Sequence, residues 1–342
     1  MNGTAADTLA VSPPPLRNLC DSHGRLDPRA VGWSARPRVL CHIPGHFGRR
    51  KRWNHWCIVS PGWMLSLTIA DLDYLTYGAA YFLDLDSGQA VAHTQIRFFG
   101  LGCQLPDEPQ ASHAFEHPRL QLRFDEQPGR LRVTGQAPDL GGLPLELALE
   151  VRRPSHLESV NLVVPMGEHT FHACSRQLGL PISGCLQLGR RRYDCQAGQS
   201  FAALDFGRGV WPLHTYWTRA AFAAGGGEGG IAGNFGTGWT EASDLRENAL
   251  WFGGKLSRVL DDVHIREPRD PLAEWRLDSA CGRVELLFRP EQLHQARPSV
   301  GLFYANTRQW FGRFNGTLRH DDGDCVPVDG ALGWIGSTRA RW

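Results

Sequence analysis

The chain has 342 residues, of which 42% are hydrophobic and 21% are charged, and its formal net charge is +1 at pH 7. This length exceeds the usual size of a single compact core, and it predicts one large domain or two packed halves of about 150 residues each. A charge so near zero creates no field that attracts nucleic acid or anionic lipid, so we expect no polyanionic partner.

The sequence carries no pattern typical of export or of a membrane span. No apolar run reaches the ~18 residues needed to cross a bilayer, and residues 1–19 lack a basic stretch followed by an apolar one. We therefore expect a cytoplasmic protein without stable membrane insertion. Nine cysteines without paired spacing predict reduced and mostly buried thiols.

The N-terminal part has an irregular pattern. Residues 12–15 read Ser-Pro-Pro-Pro, which excludes both a helix and a paired strand, and residues 20–52 are rich in Gly, Pro, His and Arg. We interpret residues 1–52 as an irregular strap that wraps the edge or the mouth of a β structure. The basic run 49–52 is interpreted as a solvated turn.

From residue 53 onwards, short strands alternate with Gly or Pro turns. Leu145, Leu147, Leu149 and Val151 alternate with polar or small residues, which is typical of an antiparallel sheet with one wet face. Strands are predicted at 56–60, 63–72, 79–85, 91–99, 120–125, 131–134 and 145–151. Further strands are predicted at 160–164, 169–174, 184–188, 216–222, 230–235, 249–252, 255–260, 263–266, 275–277, 284–288, 300–305, 311–314 and 326–334. One short helix is predicted at 199–204.

These elements predict an all-β, mainly antiparallel fold of two packed barrel or sandwich halves with very little helix. We place the boundary between the halves within 155–185. The expected division is a strap at 1–52, a first half at 53–170, and a second half at 171–342 that carries a cluster of polar residues.

Several motifs resemble those of the bacterial family catalogued as domain of unknown function 2804. They are Trp-Asn-His-Trp at 53–56, Thr-Ile-Ala-Asp-Leu-Asp-Tyr at 68–74, Tyr-Phe-Leu-Asp at 81–84, Asp-Phe-Gly-Arg-Gly-Val-Trp-Pro at 205–212, Glu-Asn-Ala-Leu at 247–250 and the closing segment 333–342. The resemblance covers nearly the whole chain. It implies no mechanism, but it implies a fold similar to tandem lipocalin-like proteins such as the carotenoid hydratases. No catalytic residue of those hydratases matches a motif here.

The first candidate site is the end of the strand at 63–72. Asp71 and Asp73 are two residues apart, so they are expected on one face, and Tyr74 follows them. Two close carboxylates are suited to acid and base chemistry or to a hard cation. The structural alternative is a turn in which both aspartates accept backbone hydrogen bonds.

The second candidate is the glycine-flanked segment around Asp205 and Arg208, which His214 and Trp217 follow. A bridge from Arg208 to a carboxylate that merely locks this corner is the structural alternative.

The third candidate is a loop predicted at 233–238, with Asn234 and Trp239, followed by Glu247 and Asn248. It lacks the third glycine and the helix of a dinucleotide site, so we expect no phosphate binding. We expect Glu247 and Asn248 to face Asp205 across a cavity, or else to plug the barrel.

A zinc site is the weaker hypothesis for the strap. Its candidate ligands have poor spacing, so we predict no metal and no other cofactor; they are Cys20, His23, Cys41, His42 and His46.

These candidates support three functional hypotheses. The first is a lipophilic small molecule, such as a lipid or an isoprenoid, bound in a barrel cavity and transformed by hydratase- or isomerase-like acid catalysis. Asp205 or Glu247 is then the proton donor, His214 is a second acid or base, and the ligand-binding residues are Arg208, Asn248, Asn234, Trp217, Trp239, Asp71, Asp73, Tyr74 and Trp56. The second is a carbohydrate-active protein with two carboxylates drawn from Asp71, Asp205, Glu241 and Glu247. The third is a non-catalytic scaffold, which is favoured if the polar cluster is buried and mutually bridged.

Overall fold

A computed structural model describes residues 16–225, 230–240, 243–297, 299–300 and 303–341 of the protein. The protein is all-β, with 66% of its residues in strands. Within the described ranges there is no α-helix, and one 3-10 turn spans Pro28–Ala30. The predicted fold class is therefore confirmed.

Sixteen of the described strands precede residue 211. They are β1 (Arg17–Asn18), β2 (Gly32–Ser34), β3 (Val39–Leu40), β4 (Arg50–Ser60), β5 (Trp63–Asp71), β6 (Leu75–Asp84), β7 (Ala90–Phe98), β8 (Cys103–Gln104), β9 (His113–His117), β10 (Leu120–Gln127), β11 (Arg130–Leu140), β12 (Leu143–Arg152), β13 (Val160–Gly167), β14 (Thr170–Leu188), β15 (Arg191–Asp194) and β16 (Phe201–Val210).

Ten described strands follow. They are β17 (His214–Ala224), β18 (Ile231–Thr237), β19 (Ala249–Phe252), β20 (Lys255–Arg258), β21 (Val263–Arg266), β22 (Trp275–Ser279), β23 (Val284–Ala296), β24 (Ser299–Val300), β25 (Phe303–Arg319) and β26 (Cys325–Arg341).

The strands form two large antiparallel sheets, each curled into a half-barrel. The first has the order β7-β6-β5-β4-β16-β14-β12-β11-β10-β9-β8, with β13, β2 and β15 attached through β14. The second has the order β20-β19-β18-β17-β26-β25-β23-β22-β21, with β24 paired to β25. The short parallel pair β1 and β3 lies in the strap.

Strand β14 is the element that bends the first sheet. Its first part pairs with β13 and β16, and its last part pairs with β12 and β15. The register with β16 shifts between Gln177 and Leu180, where Gly179 has a φ of 69°. A bulge with a glycine of positive φ kinks a strand and increases its twist. The strand can therefore serve both walls of the half-barrel.

Each half has its own apolar core, and a third core joins them. The first core contains Trp56, and the second contains Trp275. The third combines Cys57 and Phe201 of the first sheet with Trp334 of the second. The two sheets are therefore packed face to face along this third core, with β14 against β17 and β18.

The chain passes from one sheet to the other between β16 and β17. Both β14 and β16 belong to the first sheet, so that sheet extends beyond the predicted boundary at 170/171. The helix predicted at 199–204 is wrong, because β16 begins at Phe201. The loop predicted at 233–238 is also wrong over most of its length, because β18 continues to Thr237. In the predicted strap, residues 1–15 lie outside the described residues.

In the part of the chain that the structure covers, no helix has the length and apolar character required to cross a membrane. All nine cysteines are free, but only four are buried, so the expectation of mostly buried thiols is wrong.

Candidate functional site

The strand register decides which predicted site residues can meet. Asp205 of β16 is paired with Arg176 of β14. Because side chains alternate between the faces of a strand, Asp205 and Arg208 point to opposite faces. Asp205 faces the second sheet, where it contacts Arg219 of β17. The interior of the first half instead receives Arg208, whose contacts there include Asn54.

Four charged side chains form a network between the sheets. In the first sheet Arg176 contacts Asp205, and its Nε also donates to Oε2 of Glu247 at 2.8 Å. Glu247 precedes β19, and Arg219 of β17 contacts Asp205. The pairs Arg176–Glu247 and Arg219–Asp205 therefore cross from one sheet to the other. Glu247 does not face Asp205 across an open cavity, as expected, but is joined to it through Arg176.

Burial and charge act against each other in this network. Burial by itself raises the pKa of Glu247, but the cations of Arg176 and Arg219 and the hydrogen bonds to its carboxylate bring that pKa below its ordinary value. Burial, reinforced by the neighbouring Arg176 charge, lowers the pKa of Arg219 to about 9. Glu247, Arg176 and Arg219 are therefore charged at neutral pH. Glu247 is held as a carboxylate and not as a proton donor.

We expect this network to make stability depend on acid pH. The pKa of Glu247 is lower in the folded state than its usual 4.5, so its stabilising contribution is present above that pH and is lost as the pH falls through the folded-state value. Urea unfolding at several pH values below 4.5 is expected to show a steep loss of stability that Glu247→Gln flattens. Substitution of the exposed Glu285 by Gln is the control; an equal flattening in both variants contradicts the assignment.

Three indole N–H groups point into or beside the network. Trp53 Nε1 donates to Asp205 Oδ1 at 2.9 Å, and Trp239 Nε1 donates to Glu247 Oε1 at 2.6 Å. Trp211 Nε1 donates to Nδ1 of the fully buried His172 at 3.2 Å. The His172 ring also stacks on Trp53 at 5.0 Å. Burial, with the nearby Arg176 charge, holds the pKa of His172 well below 6.5, so this imidazole is neutral.

The predicted amides position the network. Asn234 accepts from Arg219 Nε at 2.7 Å and donates to the Glu247 carbonyl at 2.9 Å. Asn248 accepts from the Gly236 N–H at 2.9 Å and donates to the Asp261 carbonyl at 3.0 Å. A Cβ on Gly236 would lie 2.0 Å from Glu247 Oε1, so this glycine makes room for the carboxylate. These asparagines therefore fix the chain around Glu247.

The remaining predicted residues of the second half are separated. Trp217 is half-buried and packs edge-on against Trp211 at 5.5 Å. His214 is exposed at the first position of β17. Glu241 lies outside the described residues.

Arg208 is fully buried, and all its hydrogen bonds in the described chain go to neutral groups. It donates to the Asn54 amide oxygen at 2.8 Å and to the carbonyls of Pro106, Trp53 and Gly207. Burial lowers its pKa to about 9. The predicted bridge from Arg208 to a carboxylate is therefore wrong.

The Asp71–Asp73 pair lies in the turn between β5 and β6, and each aspartate has its own arginine. Asp71 contacts Arg52, and Asp73 pairs with Arg50 at 2.7 Å. Asp71 also accepts the Asp73 backbone N–H at 2.8 Å, as the structural alternative expected. The basic run 49–52 is not a solvated turn, because it enters β4 and Lys51 is only 1% exposed. Lys51 Nζ lies 4.7 Å above the Tyr74 ring.

The weak zinc hypothesis gains no support from the described residues, which contain no cluster of three or more His, Cys, Asp or Glu side chains suited to a metal. The Cys20 and Cys41 thiols have pKa values raised by burial to about 12. His42 is paired with Asp107 at 3.1 Å, and His46 lies 2.9 Å from the Gly24 carbonyl.

A cleft of about 560 Å³ opens at the mouth of the first half, among residues that sequence reasoning missed. Its lining includes Glu126 of β10, Arg153 immediately after β12 and Gln177 of β14. We call this cavity the mouth cleft. The Arg153 and Glu126 side chains are only 8% and 15% exposed, and Arg153 Nε lies 2.7 Å from Glu126 Oε1. Within the described ranges, Glu126 Oε2 and Arg153 Nη2 have no hydrogen-bond partner.

Electrostatics set this ion pair apart from the network. Burial raises the pKa of Glu126, although the Arg153 charge opposes the shift. Burial likewise lowers the pKa of Arg153 against the effect of Glu126. Both pKa shifts favour the neutral forms of Glu126 and Arg153. A raised carboxyl pKa is expected where that carboxyl group has to donate a proton.

Aromatic residues lie below Arg153. Its guanidinium is 5.4 Å from the ring of Trp56, which is fully buried and stacks on Phe124 at 5.8 Å. Trp56 Nε1 donates to His113 Nε2 at 3.3 Å, and burial lowers the pKa of His113 to about 3. Trp56, predicted to bind a ligand, therefore supports the mouth cleft from beneath.

The residues that were missed continue patterns visible in the sequence. Glu126 follows Leu120, Leu122 and Phe124 on the inner face of β10, and Arg153 follows Val151 at the end of β12. A charged residue that extends an apolar alternation indicates the rim of a barrel. Arg176 also lies two positions beyond a predicted strand, 169–174, but it is buried between the sheets and not at a rim.

The sequence profile of the family described as Domain of unknown function (DUF2804) matches residues 13–342. The chain belongs to this family. No curated protein sequence matches it.

Solved structures place this DUF2804 member among lipocalin-like folds. It is similar to CghA, with a TM-score of 0.50, 11% identity, and coverage of 94% of this chain and 97% of that one. The kievitone hydratase of Nectria haematococca gives 0.47 at 10% identity, covering 96% and 98%. A putative AttH from Nitrosomonas europaea gives 0.42 at 12% identity, covering 90% and 98%. At 11% identity the likeness to CghA describes the fold alone.

Proposed function

We propose that this protein binds a small amphiphilic molecule in the mouth cleft and that Glu126 protonates it. The observation that carries the proposal is the Glu126–Arg153 pair. Both groups are largely buried in a cleft of about 560 Å³, and each retains a polar atom that has no partner among the described residues. Cleft volumes of ~300–1,000 Å³ are usual for small-molecule sites.

The lining indicates a ligand with one polar end and one apolar part. Arg153 and Gln177 present hydrogen-bonding groups, whereas Leu157, Leu180 and Ala111 supply apolar surface. An isoprenoid or lipid fragment with an oxygen function fits this division. The proposal therefore keeps a lipophilic ligand and locates its polar end beside Arg153.

The chemistry we propose is hydratase- or isomerase-like. The Glu126 carboxyl proton moves to one carbon of a double bond, and the π electrons form the new C–H bond. Water then adds to the adjacent cationic carbon and gives a proton to the Glu126 carboxylate. Alternatively, that cation gives a proton from its other side to the same carboxylate, and the double bond moves. Arg153 stabilises the Glu126 carboxylate left after the transfer.

For Asp205 and Glu247 we favour the scaffold role over catalysis. Both carboxylates form ion pairs with arginines, and these ion pairs cross between the two sheets. The catalytic roles of Asp205, Glu247 and His214, and the carbohydrate alternative with its paired carboxylates, stay predictions.

The proposal is tested on the compound that the purified protein releases when it is denatured. Incubated with that compound in D₂O, the wild-type protein is expected to place deuterium on carbon. Glu126→Gln is expected to bind the compound and to lose at least ~10²-fold of the exchange rate, the usual scale for a general acid. Asp125→Asn, at the position directly before Glu126 in β10, is the control. Full exchange by Glu126→Gln, or loss of exchange in Asp205→Asn that folds normally, would contradict the assignment.

A further inference from the structure

A second cavity, of about 230 Å³, lies between the N-terminal strap and the first sheet. Strap residues such as Arg17, Arg38 and Val39 cover it, while Asn161, Val163, Ala173 and Phe206 of the sheet form its floor. We call this cavity the strap pocket. Its volume lies below the ~300 Å³ at which drug-sized sites begin, so its ligand has to be small.

In the part of the chain that the structure describes, one polar atom of a floor residue lacks a hydrogen-bond partner. Asn161 is 9% exposed, and its Nδ2 donates to the carbonyls of Ser34 and Ser159 at 3.1 Å each and to Ser159 Oγ at 2.9 Å. Two carbonyl acceptors fix the orientation of the amide, because the flipped form would set oxygen against oxygen. Asn161 borders the pocket, and its Oδ1 is a buried acceptor without a donor among the described residues.

The outer edge of the pocket is positively charged. Arg17 and Arg38 are exposed and adjacent, since the Arg17 N–H donates to the Arg38 carbonyl at 2.9 Å. Among the described residues neither forms an ion pair, whereas Arg29, also at the pocket, is paired with Asp27 at 2.8 Å. The edge is thus suited to an anion.

The strap pocket is separate from the mouth cleft, although the two share a wall. Ser34, Pro109 and Asn161 border the strap pocket, and their near neighbours Arg36, Gln110 and Ser159 border the cleft. Hydrogen bonds from Asn161 to Ser159 and from Arg36 to the Ser155 carbonyl hold this wall together. A ligand in one space does not have to enter the other.

We propose that the strap pocket binds a small aliphatic carboxylate that carries a hydroxyl or amine group at its far end. The carboxylate lies against Arg17 and Arg38, the chain crosses the apolar surface of Val163, Ala173 and Phe206, and the far-end group donates to Asn161 Oδ1. Each part of the ligand corresponds to one group of pocket residues. This site is distinct from the proposed catalytic function.

Calorimetric titration of the full chain with three probes tests the site. 8-Hydroxyoctanoate is expected to bind with 1:1 stoichiometry and about fivefold to tenfold more tightly than octanoate, which has no donor for Asn161. It is also expected to bind more tightly than 1,8-octanediol, which has no charge, and to lose this advantage as salt is raised. Equal affinities, or no binding of any probe, would overturn the proposal.

Paired variants check the location. Arg17→Ser with Arg38→Ser is expected to reduce the affinity for 8-hydroxyoctanoate to that for the diol, and these exposed positions should not disturb folding. Arg123→Ser with Arg276→Ser, at side chains 63% and 67% exposed, is the matched control and should bind normally. If Ala111→Trp, which fills the mouth cleft, abolishes binding while the double arginine variant does not, the probe lies in the mouth cleft and the strap-pocket proposal is wrong.

Discussion

Arg176→Met is expected to lower the free energy of unfolding by about 3–5 kcal/mol, the usual cost of removing one partner from a buried ion pair. Arg176 is 4% exposed and holds both Asp205 and Glu247. Its loss leaves the Glu247 carboxylate, itself 1% exposed, with Trp239 as its remaining close donor. Urea unfolding monitored by tryptophan fluorescence measures the change.

The control for Arg176 is an arginine in a surface pair. Arg266 pairs with Asp278 at 3.0 Å, but its side chain is 62% exposed, so Arg266→Met should leave the stability almost unchanged. Because the network crosses between the sheets, Arg176→Met should also weaken their association and make the unfolding transition less cooperative. A loss below about 1 kcal/mol in Arg176→Met would show that the network does not hold the two sheets together.

Trp56→Ala is expected to destabilise the protein by about 3–5 kcal/mol, as large aromatic truncations in a core do. The Trp56 ring is fully buried, stacks on Phe124 and donates to His113. Truncation leaves a cavity below Arg153. It also removes the one tryptophan of β4 that faces the first core, since Trp53 lies on the opposite face of that strand. Thermal and urea unfolding measure the loss.

Trp56→Phe separates packing from hydrogen bonding. It keeps most of the ring volume and loses the bond to His113, so it should cost clearly less than Trp56→Ala. If Trp56→Ala unfolds like the wild type, Trp56 is not the support of the mouth cleft.

The alternation of apolar and polar residues was sufficient to predict the sheets. It did not predict where the chain changes from one sheet to the other. In β12, Leu145 to Val151 alternate as predicted and are buried as predicted. The passage between sheets falls after β16, because β14 bends at Gly179 and stays in the first sheet. A bulge is a local change of backbone, and the apolar pattern on both sides of it reads as two ordinary strands.

The contacts of the candidate site could not be predicted from single segments of the sequence. The polar character of Asp205 and Glu247 was visible, but their partners Arg176 and Arg219 come from strands distant in sequence. Arg208 was misjudged because it differs by an odd number of positions from Asp205 and therefore lies on the other face. Such pairings depend on register, which no single segment contains.

Small-molecule extraction tests the central claim, the ligand site in the mouth cleft, most directly. Wild-type protein and Ala111→Trp, which fills the cleft from its edge, are purified natively, extracted with organic solvent and compared by mass spectrometry. Ala273→Trp, at a half-buried turn position of the second half, is the matched control. We predict a near-stoichiometric amphiphilic compound in the wild type and in Ala273→Trp, and its loss from Ala111→Trp. The same compound at the same level in all three proteins would contradict a ligand site in this cleft.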